Sequence, residues 1–121
     1  MVVDICGIGY AIIFGTADTD AKLVDCDGYT DCTTKKIVIA EFCDDDNLSV
    51  QNINVYRENI IRHEIIHAFA YESGIEKLGE LPEELLVQWF AMQLPKINSA
   101  VECVVKELTI WNNGKNNMSK N

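Results

Sequence analysis

INVYRENIIRHEIIHAFAYESG, residues 53–74, is the stretch around which the rest of the chain can be organised. Its apolar residues Ile53, Ile60, Ile61, Ile65, Ile66, Phe69 and Ala70 recur at helical spacing, which predicts an amphipathic helix over Ile53–Glu72. Gly74 follows where a helix C-terminus favours glycine. Both histidines of the chain lie inside this helix, in His63-Glu64-Ile65-Ile66-His67. At about 100° per residue they differ by about 40° around the axis and sit one turn apart. Two imidazoles so placed can ligate one tetrahedral zinc ion, with Glu64 about 60° beyond His67 and not itself a ligand. Zinc lowers the pKa of its water to about 7, and a neighbouring glutamate can accept the proton as hydroxide attacks a polarised carbonyl. Ile65 and Ile66 are expected to face the core.

Two histidines do not complete such a site, because a catalytic zinc usually takes three protein ligands. With no third histidine or suitable cysteine, a carboxylate has to serve. Downstream, the linker IEKLGEL leads to Pro82, a good first-turn residue, and to a second helix that reaches Gln93 and is expected to end at Pro95. Glu83 and Glu84 open this helix, and an antiparallel return would bring them beside the histidines. Glu84 is preferred because Gln88 and Ala91 share its face, although acids at a helix N-terminus also simply suit the dipole. Of the other acids, Glu72 belongs to the last turn of the histidine helix, and Glu76 and Glu80 to the linker. Gly at 70 and His at 73 would make a metzincin, but Ala70 and Ser73 stand there. A third helix is expected over Ile97–Leu108, with Ile97, Val101, Val104 and Leu108 on one stripe. A domain over 1–110 is thus followed by a polar, disordered tail over 111–121.

Upstream the chain reads as strands. Tyr10–Phe14 is apolar and ends at Gly15; Lys22–Cys26 is short and stops at the turn dipeptide Asp27-Gly28; Lys36–Phe42 is rich in β-branched residues. Short connections favour an antiparallel meander. The acidic cluster Asp44, Asp45, Asp46, Asn47 lacks the glycine and closing glutamate of a calcium loop and reads as a solvated turn. Strands first and helices second give an α+β class, with a short antiparallel sheet packed on the histidine helix and two further helices.

The 121 residues, 48% hydrophobic, suit one compact domain and exclude disorder as the main state. Nineteen acidic residues against ten basic ones leave a net charge of −9, a field that repels phosphate and disfavours nucleic acid or anionic membrane as partner. No run approaches the roughly 18 apolar residues of a membrane helix. MVVDICGIGYAIIFG has no basic n-region and reads as strand, not as a signal peptide. Five cysteines, Cys6, Cys26, Cys32, Cys43 and Cys103, form no CxxC pair; an odd, scattered set points to the reducing cytoplasm and to small apolar roles.

RHEIIHAFAYESG, followed by EELLVQWFAMQLPKI, resembles small bacteriophage-encoded proteins of the zincin-like metallopeptidase type and, more distantly, the ImmA/IrrE metallopeptidases. DGYTDCTTKKIVI looks like the strand-forming part of the same proteins, so the resemblance spans roughly residues 10–97. It implies a minimal zincin-like fold, one Zn2+ per chain held by His63, His67 and Glu84, and Glu64 as general base. The expected activity is hydrolysis of a peptide bond in a protein or peptide substrate, in the cytoplasm of a bacterial host. The alternative is a non-catalytic phage accessory module that binds zinc. Oxyanion stabilisation needs a donor. Tyr71, four residues after His67, is the first choice, though it can equally be packing at the helix end; Arg62, Tyr29 and Tyr10 are the others. A substrate strand could add to an exposed sheet edge, with Lys36–Phe42 a candidate.

Overall fold

The computed structural model describes residues 1–41 and 52–119. A four-stranded sheet and two α-helices make up a mixed α+β fold. Strands β1 (Val2–Ile5) and β2 (Ile8–Gly15) form a tight hairpin in which Ile5 faces Ile8. The two residues between them, Cys6 and Gly7, both have positive φ (53° and 85°), the primed turn that matches the twist of paired strands.

Strands β3 (Gly28–Asp31) and β4 (Lys36–Ala40) make a second hairpin. Asp31 organises its turn, accepting from the Thr33 and Thr34 backbone N–H groups at 3.0 and 3.2 Å. The sheet order is β1-β2-β4-β3, so β4 pairs in parallel with β2. The expected antiparallel meander is therefore corrected: β3 is skipped to the outer edge and β4 returns between it and β2. That also makes β4 an interior strand, so it offers no edge to a substrate. Its residues are buried on both faces, Ile37 and Ile39 beneath the helices and Val38 and Ala40 against Leu23.

Leu23 does not come from a strand. Residues 21–24 form a 3-10 turn, because the Asp20 side chain accepts from Lys22 N at 3.1 Å and caps it. The strand expected over Lys22–Cys26 is too short a run to outweigh that cap.

Helix α1 (Ile53–Glu72) has the expected bounds. Asn52 caps it by accepting from Val55 N at 3.2 Å, and Gly74 follows the end with φ 82°. Ile61, Ile65 and Phe69 pack on Ile5, Tyr10, Ile37 and Ile39 of the sheet and on Ile97, Val101 and Val104 of the second helix. Ile66 is half-buried at the margin of this core. After a 3-10 turn at Ile75–Leu78, α2 runs unbroken over Glu83–Ser119. Two separate C-terminal helices were expected, with Pro95 as the stop, but Pro95 lies inside one. Its ring removes the hydrogen bond to the Ala91 carbonyl, a cost of about 3 kcal/mol. The buried stripe Ile97, Ala100, Val101, Val104 just beyond it offsets that cost by holding the helix on the core. α2 continues to Ser119, within the segment 111–121 whose composition reads as a tail.

Of the cysteines described, all free, Cys6 and Cys103 are exposed and Cys26 and Cys32 half-buried. Cys43 and the Asp44–Asn47 cluster lie outside the described residues. No helix among the described residues is long and apolar enough to cross a membrane.

Candidate metal centre

The flank of α1 that turns away from the core carries His63 and His67, both exposed. Their ring centroids are 4.8 Å apart and their Nε2 atoms 3.2 Å apart. Two nitrogens about 2.0–2.1 Å from one tetrahedral zinc stand roughly 3.3 Å apart. The imidazole pair thus has the spacing that a shared metal ion requires. Without metal the same spacing serves a hydrogen bond between one protonated and one unprotonated nitrogen.

Between this pair and the sheet lies Glu64, only 7% exposed and the one buried charged residue among those described. A buried carboxylate needs donors, and Thr30 on β3 supplies one. Its Oγ1 stands 3.0 Å from Glu64 Oε1 and 2.9 Å from the Glu64 carbonyl oxygen, so its one proton is shared between side chain and backbone. Gly28, two residues earlier, explains how the helix comes so close. A β-carbon there would stand 2.9 Å from Ile60 Cγ2, 3.1 Å from the Val38 carbonyl oxygen and 3.4 Å from Glu64 Cγ. Read from the sequence as part of a turn, Gly28 is a strand residue at the contact between β3 and α1.

An open cleft of about 420 Å³ contains the pair. The edge strand forms one wall with Gly28, Tyr29 and Thr30, α1 forms the floor with His63, Glu64 and His67, and Cys32 and Glu76 complete it. Tyr29 donates its hydroxyl to Asp20; this bond and burial push the phenol up to about 12, so it stays protonated at neutral pH. Burial, then the nearby Glu76 carboxylate among other charges, pushes the Cys32 thiol up.

Of the remaining predicted residues, none lines this cleft. Tyr71 is half-buried beneath two ammonium groups, Lys35 Nζ 5.0 Å and Lys77 Nζ 5.3 Å from its ring centroid. Tyr10 is in the core, donating to Glu72 Oε1 at 2.6 Å, and Arg62 is exposed on the outer face of α1. Glu83 and Glu84 are exposed on the first turn of α2. Trp89 Nε1 donates to Ser73 Oγ at 3.1 Å, whereas Pro95, Lys96 and Ala100 border the same pocket as Phe69. The two helices therefore run antiparallel, and Glu84 lies past the last turn of α1. Among the described residues, no three His, Cys, Asp or Glu side chains stand close enough together to hold a metal ion. His63 and His67 are brought together, with Glu64 beside them; Glu84 and Tyr71 are not.

Sequence reasoning did not find Thr30 and Cys32 in the cleft, and it left Glu76 in a linker. The only signal was DGYTDCTTKKIVI, a stretch that reads as strand-forming. Compared with protein-family models, curated proteins and solved structures, the chain has no match.

Proposed function

We propose that this chain is a zinc-dependent metallopeptidase that hydrolyses a peptide bond in a protein or peptide substrate, with His63 and His67 as metal ligands and Glu64 as general base. The observation that carries this reading is the Nε2 pair 3.2 Å apart beside a buried glutamate, in one cleft along a strand edge. Bound zinc would act as Lewis acid and lower the pKa of a water molecule. Glu64 accepts a proton on the carboxylate oxygen and later returns it to the leaving amine. Thr30 holds that carboxylate in place. Among the described residues β3 is an edge strand beside the cleft, along which an extended peptide can hydrogen-bond as an added strand. The resemblance to phage proteins supports a phage-encoded chain acting in the bacterial cytoplasm.

Zinc stoichiometry and the Glu64→Gln variant test it. The expected results are one zinc per chain in both proteins and cleavage of a mixed peptide library by the wild type only, a loss of about 10²–10⁴ in rate. Unchanged cleavage by Glu64→Gln would overturn the assignment of the base. A second reading has its own observation: Leu85, Leu86, Val87, Phe90, Met92 and Leu94 are all exposed on the first half of α2. Such an apolar surface suits a zinc-binding interaction module without catalysis. That reading predicts no cleavage by the wild type and capture of a partner by both proteins.

A further inference from the structure

We propose that Glu76, on the 3-10 turn between the two helices, is the third protein ligand of the metal centre, and that metal binding draws this turn onto the histidine helix. The inference rests on the metal-binding part of the reading above and not on catalysis. It replaces Glu84, which lies outside the cleft, with the one glutamate besides Glu64 that lines it.

Each competing acid is occupied or misplaced. Glu72 is held by Lys35 and Tyr10. Glu80, Glu83 and Glu84 do not line the cleft. Glu64 faces Thr30 and is placed as base. Glu76, by contrast, is exposed and makes no hydrogen bond or ion pair among the described residues. A carboxylate completes a two-imidazole set well, as in other catalytic zinc sites with two histidines and a glutamate.

Glu76 does not yet stand within reach of both imidazoles, since no three-residue group is assembled. The turn is built to move the remaining distance. It buries no residue, and glycines bracket it: Gly74 at φ 82° and Gly79 at φ 75°, ψ −148°. A β-carbon at either position would meet nothing within 4 Å, so backbone torsion and not crowding calls for glycine there. Two such residues at the ends of an unburied turn are where a hinge can absorb a change in φ and ψ. Cys32 is the rival donor, fixed on the turn of the second hairpin and facing the same cleft.

Zinc affinity, measured by competition with a chromophoric chelator, separates the candidates. Glu76→Ala is expected to weaken zinc binding about 100-fold, the upper end of what even outer-shell changes cost. Glu84→Ala and Cys32→Ser should stay within about threefold of wild type, while His67→Ala should match or exceed the Glu76→Ala loss. Metal-free Glu76→Ala should melt with metal-free wild type, because the Glu76 side chain is exposed. Zinc should also slow amide exchange across residues 74–79 in the wild type and not in Glu76→Ala. The cobalt-substituted protein should lack the intense near-ultraviolet band of a thiolate ligand. Full affinity in Glu76→Ala, with loss in Glu84→Ala or Cys32→Ser, would overturn the proposal and leave the metal reading standing. A wild type that binds no zinc would overturn both.

Discussion

The two sides of the cleft are built differently. On the side of β3 and α1, Gly28 lets helix and strand meet without an intervening β-carbon, and Thr30 ties Glu64 at two points. On the opposite side, where Glu76 lines the cleft, the 3-10 turn at Ile75–Leu78 has no fully buried residue. One wall is thus set before any ligand arrives, and the other can adjust. Glu64, proposed as the base, and the two imidazoles belong to the fixed wall. Glu76, the proposed third ligand, belongs to the adjustable one, between the positive-φ residues Gly74 and Gly79.

The largest effect expected from breaking this contrast comes from Gly28→Val. Its branched side chain enters the space held by Ile60 Cγ2 and the Val38 carbonyl, and backbone cannot give way cheaply. A loss of about 1–3 kcal/mol in unfolding free energy is expected by chemical denaturation. Gly74→Ala, on the adjustable wall, should cost about 1 kcal/mol through its positive φ alone. Equal losses, or a larger one at Gly74, would mean that the packed wall is not packed as described.

Next comes Thr30→Val, which keeps the shape and deletes the hydroxyl. Glu64 then remains buried without that donor, so about 1–2 kcal/mol should be lost, while Thr30→Ser should restore most of it. Zinc affinity should change little in either variant, because Thr30 bonds Glu64 and neither imidazole. A variant that lost zinc but kept its stability would contradict the division of labour between Glu64 and the histidines.

This division also explains what could be read in the sequence. α1 was legible to its ends because its signals are local: Asn52, the apolar periodicity and Gly74 lie within it or adjoin it. The grouping of His63, His67 and Glu64 was legible for the same reason, since helical geometry alone places them together. The wall opposite them is not local. Gly28 and Thr30 matter only because β4 passes inside β3 and leaves β3 at the edge beside α1, a pairing that no alternation of apolar residues encodes. The 3-10 turn at residues 21–24 was misread because one capping aspartate decided it. Pro95 misled because tertiary burial of Ile97, Ala100, Val101 and Val104 outweighs a local helix-breaking preference.

The smallest effect concerns the joint between the walls, where Glu72 at the end of α1 meets Lys35 and Tyr10 of the sheet. Lys35 donates to this carboxylate and Tyr10 does so as well, and together they hold Glu72 below its ordinary value of 4.5. The same ion pair raises Lys35 above 10.5. A carboxyl lowered by folding binds fewer protons in the folded chain than in the unfolded one between its two values. Its contribution is therefore complete above the ordinary value and is lost as pH falls through the lowered one. The raised lysine contributes below its ordinary value and loses that contribution as pH rises through the raised one. Between these limbs both contributions are fully present and do not vary with pH. Glu72→Gln should accordingly flatten both limbs of stability against pH, measured by denaturation at each pH. Asp31 and Asp20 are also lowered, by the Thr33 and Tyr29 hydroxyls first of all, so some acid slope will persist in the variant. The informative quantity is the difference between the two profiles. It should be smaller than the Thr30→Val effect, because the Lys35 side chain is 37% exposed and solvent screens the pair. A difference larger than that of Thr30→Val would place the rigid part of the molecule at the joint instead of at the contact between β3 and α1.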